Sequence, residues 1–313
     1  MTDSALHASI SEALDGERID RVVAVLANLT RADATALVES GGVRVAGNVV
    51  TRRSVRVSLG DEIDIEVPVR EVRGGLVGDP AVEFDVIYED DSLIVVNKHA
   101  DLVVHPGAGN QTGTLVHGLL SRYPELAELA VGDQAERPGI VHRLDKGTSG
   151  LLMVGRTQAA VASLIEQLSS RTVSRHYMAL AHGKFAARSG VIDAAVGRSD
   201  ADPTRMTVTA SGREAITHYR VESAFDLPEP STLLECWLET GRTHQIRVHL
   251  SAIGHPVVGD PRYGGARARI RSPRLWLHAF SLRFRHPLTG ADVFFEAPVP
   301  DDLRAVLDTL TSV

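Results

Sequence analysis

The chain has 313 residues, 43% of them hydrophobic, which is enough for about two globular domains and too apolar for a disordered chain. Its single cysteine, Cys236, excludes an intramolecular disulfide and any thiolate zinc cluster, and no stretch approaches the ~18 apolar residues of a membrane span. The net charge of −7 argues against a nucleic-acid partner, but its distribution argues the other way: residues 71–140 carry 12 acids and 4 cations, whereas residues 141–220 carry 11 cations and 6 acids.

Residues 1–16 are polar and acidic, without a cationic start or an apolar stretch. They read as a flexible tail and not as a secretion signal, so a cytoplasmic location is expected. In residues 17–70, Ile19, Val22, Val23, Leu26 and Leu29 recur at helical spacing. Thr30 is placed to cap a second helix through Leu37 and Val38, which Gly41-Gly42 then ends. VRVAGNVV predicts a hairpin turning at Ala46-Gly47-Asn48, and DEIDIEV predicts another alternating strand. Arg44, Arg52, Arg53 and Arg56 fall in a stretch without an acid, a candidate phosphate-contact surface. Residues 71–80 are glycine-rich and end in Pro80, which marks a linker to a second domain over 81–313.

In that second part, Val86–Tyr88 and Leu93–Asn97 read as strands, and Thr114 begins a helix to about Arg122. Ile140–Met153, IVHRLDKGTSGLLM, reads as strand, polar turn, strand, with Gly147 and Gly150 allowing tight backbone geometry. Gln158–Ser169 is an amphipathic helix with Ala160, Val161, Leu164, Ile165 and Leu168 on one face. Residues 171–180 form a strand, 190–221 interrupted strand material, and 231–265 a strand, a turn and a helix. RLWLHAFSLRFRHPLTG and DVFFEAPVP pair as a hairpin before a helix over 301–310. Strands outnumber helices and do not alternate regularly with them, so the class is α+β with a mostly antiparallel, mixed sheet.

The chemistry concentrates in three stretches. In HRLDKGTSG, Asp145 sits between Arg143 and Lys146, and nearby cations favour an ionised carboxylate able to act as nucleophile or base. The lysine precedes the glycine, which excludes a GxxxxGK[ST] phosphate loop, and Ser149 is not in a GxSxG elbow. In RHYMAL, Tyr177 can stack on a base and offer its hydroxyl. In TGRTHQIRVHL, His244 and His249 are five apart and lack an acidic neighbour, so no metal site is expected. Of Arg242 and Arg247, one could neutralise a buried carboxylate and the other hold a phosphate bidentately. A further seven arginines between Arg262 and Arg285, interleaved with Tyr263, Trp276 and Phe280, suit an RNA groove.

HRLDKGTSGLL resembles the signature of the RluA-type pseudouridine synthases, RHYMAL their second motif and LETGRTHQIRVHL their third. HPGAGN, GDPRYGG and FRHPLTG are similar to the family as well, and the likeness covers about 80–313. The two helices and small strands before it resemble the RNA-binding domain named after ribosomal protein S-four, and this two-part layout resembles the RluD branch, the ribosomal large subunit pseudouridine synthases. The resemblance implies isomerisation of uridine in RNA, most naturally large-subunit ribosomal RNA, by base flipping and without a cofactor. It implies Asp145 as nucleophile, attacking either sugar or base, Tyr177 stacked on the uracil, and Arg247 paired with Asp145. Arg143, His142, Lys146, Arg242, His244, Arg44, Arg52 and Arg53 would contact RNA, and the acidic block at 71–140 would face away from it. No membrane partner is expected, and the chain is expected to be a monomer. The competing readings are a non-catalytic RNA-binding ribosome-assembly factor, which would not need Asp145, and a glycoside hydrolase, which would need a second carboxylate.

Overall fold

A computed structural model describes residues 4–27, 31–67, 76–107, 109–202 and 204–312. The chain forms two compact units: residues to Val77 with Val131–Ala135, and Gly78–Ala130 with Glu136–Val313.

The first unit contains β1 (Ser4–Ser9), α1 (Ile19–Leu26), α2 (Arg31–Glu39), β2 (Val43–Val45), β3 (Asn48–Val49) and β4 (Glu62–Val67). Its sheet runs β1-β4-β2-β3. The helical stripe of α1 buries Ile19, Val22 and Val23 against Val38, Val43, Ile63 and Ile65. The start of the chain corrects the expected tail: β1 pairs antiparallel with β4, Ser4 opposite Val67 through Ser9 opposite Glu62. Leu6 and Ala8 pack against the core from this strand, and Ile10 joins it fully buried. The alternation of β1 rests on alanines and a single leucine, too weak a signal to mark a strand without its partner. Leu29, Thr30 and the first half of the expected linker, residues 71–75, lie outside the described residues.

The second unit is built on a nine-stranded mixed sheet. Its elements in order are β5 (Asp85–Glu89), β6 (Leu93–Lys98), α3 (Leu115–Arg122), β7 (Ser149–Gly155), α4 (Gln158–Ser169), β8 (Ser174–His182), β9 (Ser189–Asp193), β10 (Val196–Arg198), β11 (Met206–Val208), β12 (Ile216–Phe225), β13 (Ser231–Leu238), α5 (Gln245–Ala252), β14 (Leu277–Arg285), β15 (Asp292–Glu296) and α6 (Asp301–Leu307). The order is β5-β6-β7-β14-β8-β13-β12-β9, with β15 on β14 and β10-β11 a separate ribbon. Pairing is antiparallel except for a short parallel contact, His278 opposite Ser149 and Ala279 opposite Gly150. β6 and β7 are almost wholly buried, as central strands covered on both faces must be, and this accounts for their unbroken apolar runs. Thr157 caps α4 through its hydroxyl, which accepts the Ala160 amide, and Leu164 of that helix packs with Leu151, Met153 and Phe284. Among the described residues no helix is long and apolar enough to cross a membrane.

Candidate active site

The stretch around Asp145 is not strand, turn, strand. Ile140 makes a single bridge to Val154, the chain then runs irregularly, and Asp145–Thr148 closes a turn through the Thr148 amide on the Asp145 carbonyl at 3.0 Å. β7 begins only at Ser149, whose hydroxyl bonds His278 Nδ1 of β14 at 2.9 Å. Of the two glycines, only Gly150 is required. Its φ is +118°, and a Cβ there would lie 2.2 Å from the Ala279 carbonyl oxygen. A Cβ on Gly147 would meet Leu275 at an ordinary 3.4 Å.

Asp145 lies on a cavity of about 550 Å³ lined also by Arg143, Arg175, Tyr177, Arg242, His244 and Arg247. Among the described residues, none of the acids of 71–140 lines it. Arg247 leaves the first turn of α5 and donates from Nη1 to Asp145 Oδ2 at 2.9 Å. Its other side is held by Asp260, from Nε at 2.7 Å and from Nη2 at 3.0 Å. Burial opposes the charged guanidinium, but the Asp260 hydrogen bonds and the two carboxylate charges outweigh it and push the Arg247 pKa further up. The guanidinium is therefore a fixed cation that aims Asp145.

His244 caps α5 in the left-handed conformation, φ 58°, a strained choice for a non-glycine residue. Its Nε2 lies 3.9 Å from Asp145 Oδ2 and its Nδ1 2.8 Å from the Tyr263 hydroxyl. Burial lowers its pKa against the pull of Asp145. Tyr177 is buried on β8 with its ring on the cavity, and burial raises its pKa.

The remaining expected contacts divide. Arg143 is exposed on the cavity rim, and Arg242 lines the cavity while donating to the Glu214 carbonyl at 2.9 Å. Lys146 is exposed but does not line the cavity. The His142 ring faces inward, where its Nε2 accepts the Met153 amide at 3.1 Å, and burial drops its pKa to about 3. Arg44, Arg52 and Arg53 are exposed in the first unit, Arg44 beside Glu66 at 3.7 Å. The expected groove over Arg262–Arg285 is corrected. Trp276 is fully buried with its Nε1 on the Leu303 carbonyl, Tyr263 is buried with Arg247 over its ring, and Arg274 pairs with Asp302 at 2.6 Å. A cluster along the sequence carries no information on which side chains fold inward.

The family model described as RNA pseudouridylate synthase matches residues 92–252, and that of the S4 domain matches 17–63. The chain belongs to the RNA pseudouridylate synthase family. It is 43% identical over 97% of its length to an uncharacterized RNA pseudouridine synthase, YlyB, of Bacillus subtilis, covering 98% of that protein. It is 40% identical over 97% of its length to a ribosomal large subunit pseudouridine synthase D of Vibrio parahaemolyticus, covering 94% of it. A solved human structure, RNA pseudouridylate synthase domain containing 1, is 30% identical with a TM-score of 0.57, over 74% of this chain and 89% of that one. The synthase is thus an isomerase that converts uridine to pseudouridine in RNA, with an S4 domain ahead of its catalytic domain.

Sequence reasoning missed two buried residues that bear on Asp145 from behind the cavity, one through Arg247 and one through its charge. Asp260 is fully buried and also accepts the amides of Arg262 and Tyr263. Lys98 ends β6 fully buried, its Nζ donating to the carbonyls of His99, Leu102 and, at 3.3 Å, Lys146. Burial lowers its pKa to about 7, against the opposing charge of Asp145. The lone acid of GDPRYGG was the only signal for Asp260, and nothing in the apolar run of β6 signalled Lys98.

Proposed function

We propose that this synthase modifies large-subunit ribosomal RNA, with Asp145 as nucleophile, Tyr177 packed on the flipped uracil and Arg247 holding Asp145. The observation that carries the site reading is the 2.9 Å pair of Arg247 with Asp145 on an arginine-lined cavity that also holds Tyr177. The relatives named for the ribosomal large subunit align over nearly the whole chain, the S4 domain included, and this supports the substrate.

In the reaction the bond from ribose C1′ to N1 breaks, the uracil turns, and C1′ bonds to C5. The C5 hydrogen leaves and N1 takes up a proton, so the product is an isomer. The cavity gives the uridine room only outside its stack, at a cost of a few kcal/mol for flipping. Arg143 on the rim is placed to hold the strand, and the synthase acts as a monomer.

The test is release of tritium from RNA labelled at uracil C5, with Asp145→Asn in parallel. Release from large-subunit transcripts that vanishes in the variant is expected. Undiminished release by the variant overturns the role of Asp145. Pseudouridine mapping in a deletion strain tests the substrate, and an unchanged large-subunit map overturns it.

A further inference from the structure

A second buried arginine lines the same cavity, and among the described residues its side chain has no ion-pair partner. Arg175 lies two residues before Tyr177 on β8, so both side chains leave the same face of the sheet. Only 8% of Arg175 is exposed. Its Nε is sealed from solvent without an acceptor, and no carboxylate lies within 4 Å among the described residues. Gly241 makes room for it, since a Cβ there would come within 2.9 Å of Nη1.

Arg247 shows the usual arrangement in this unit, a buried guanidinium flanked by two carboxylates. Arg175 departs from it, and an unpaired buried charge is costly. Two more orphans lie on the wall of this cavity: Thr148 Oγ1 and His142 Nδ1 are buried without partners. Because His142 Nε2 accepts the Met153 amide, its neutral ring carries the hydrogen on Nδ1. Arg175 is close enough to His142 for its charge to help keep that ring neutral. Arg175 Nε and His142 Nδ1 are therefore donors left without an acceptor on this wall, and the Thr148 hydroxyl beside them can donate as well.

We propose that Arg175 is a substrate-contacting residue whose guanidinium takes the phosphodiester next to the flipped uridine. A uracil carbonyl would satisfy one N–H and leave the charge uncompensated. A phosphodiester meets the fork with two oxygens and neutralises it. A flipped nucleotide brings its own phosphates toward Asp145, a like charge, and Arg175 offsets that repulsion. The inference rests on reading the cavity at Asp145 as the uridine site.

The test uses the full-length protein, an oligoribonucleotide around a uridine it converts, and two versions in which the 5′ or the 3′ phosphate of that uridine is a neutral methylphosphonate. Tritium release, RNA affinity and thermal melting are measured for wild type, Arg175→Met, Arg175→Lys and Asp145→Asn. Arg175→Met is expected to melt no lower than wild type, because it removes an unpaired buried charge. It should lose about 10- to 100-fold in kcat/KM and in affinity on natural RNA, the size of a lost charge-assisted hydrogen bond. Arg175→Lys should recover part of that. On one of the methylphosphonate RNAs wild type should fall by the same factor, and Arg175→Met should lose nothing more. Equal activity of Arg175→Met and wild type overturns the proposal, as does an undiminished loss on both neutralised RNAs. Asp145→Asn activity equal to wild type overturns the site reading instead, and the affinity measurement still judges Arg175 in that case.

Discussion

Arg247 and the arginines of the first unit use the same side chain in opposite ways. Arg247 is buried and locked between Asp145 and Asp260, so its charge orients a neighbour and is unavailable to solvent. Arg52 and Arg53 are exposed beside the β2–β3 hairpin, where water and salt screen them. The buried cation is worth much and tolerates no change. Each exposed one is worth little and acts through number. Breaking either kind should therefore give effects that differ in size and in salt dependence.

The largest effect is expected at the carboxylate that the buried cation serves. Asp145→Asn should lower kcat by about 10⁴-fold, as removal of a nucleophile does, with melting nearly unchanged; single-turnover tritium release measures it. Arg247→Met should cost about 10²-fold in kcat through misplacement of Asp145. It should also destabilise the fold by about 3–5 kcal/mol, because Asp260 is left buried without its cation; denaturant melts read this second loss. Retained stability in Arg247→Met would break the comparison.

Lys98 gives an intermediate effect with a pH signature. Its folded pKa is about 7 against an ordinary 10.5, so between these values the unfolded chain binds more protons. Its contribution to stability therefore rises with pH through that window by a few kcal/mol, on the order of 1.4 kcal/mol for each pH unit between the two values. Melting curves from pH 6 to 10 should show the rise in wild type and a flatter profile in Lys98→Met. The smallest effect is expected for Arg52→Ala with Arg53→Ala. Affinity for RNA should fall several-fold and the log–log salt slope should drop by roughly 1.4–1.8, with KM moving more than kcat. A salt-independent loss would place these arginines with Arg247 and erase the distinction.

Much of this was legible in the sequence because it is local. Helical spacing gave α1 and α4 and alternation gave β4, whereas the pair that meets at 2.9 Å was implied only by the family resemblance of HRLDKGTSG and HQIR. What was hidden depends on partners far along the chain. β1 is a strand only because β4 pairs with it. Gly150 is a glycine because Ala279 passes over it, and nothing near Gly150 announces Ala279. Trp276 looked like part of an RNA groove, but the Leu303 carbonyl and α6 enclose it. His142 lines the cavity, but its Nε2 is taken by the Met153 amide, a bond that nothing in the sequence shows.

The parallel contact of Ser149 and Gly150 with His278 and Ala279 joins segments about 130 residues apart. In a chain emerging from synthesis, the turn that carries Asp145 is made early, but the strand that fixes its downstream end is made near the last. Closure of so long a loop is slow and comes late in folding. The turn that carries Asp145 therefore takes its final anchorage only after Ala279 has joined it, so the site is assembled across the length of the second unit.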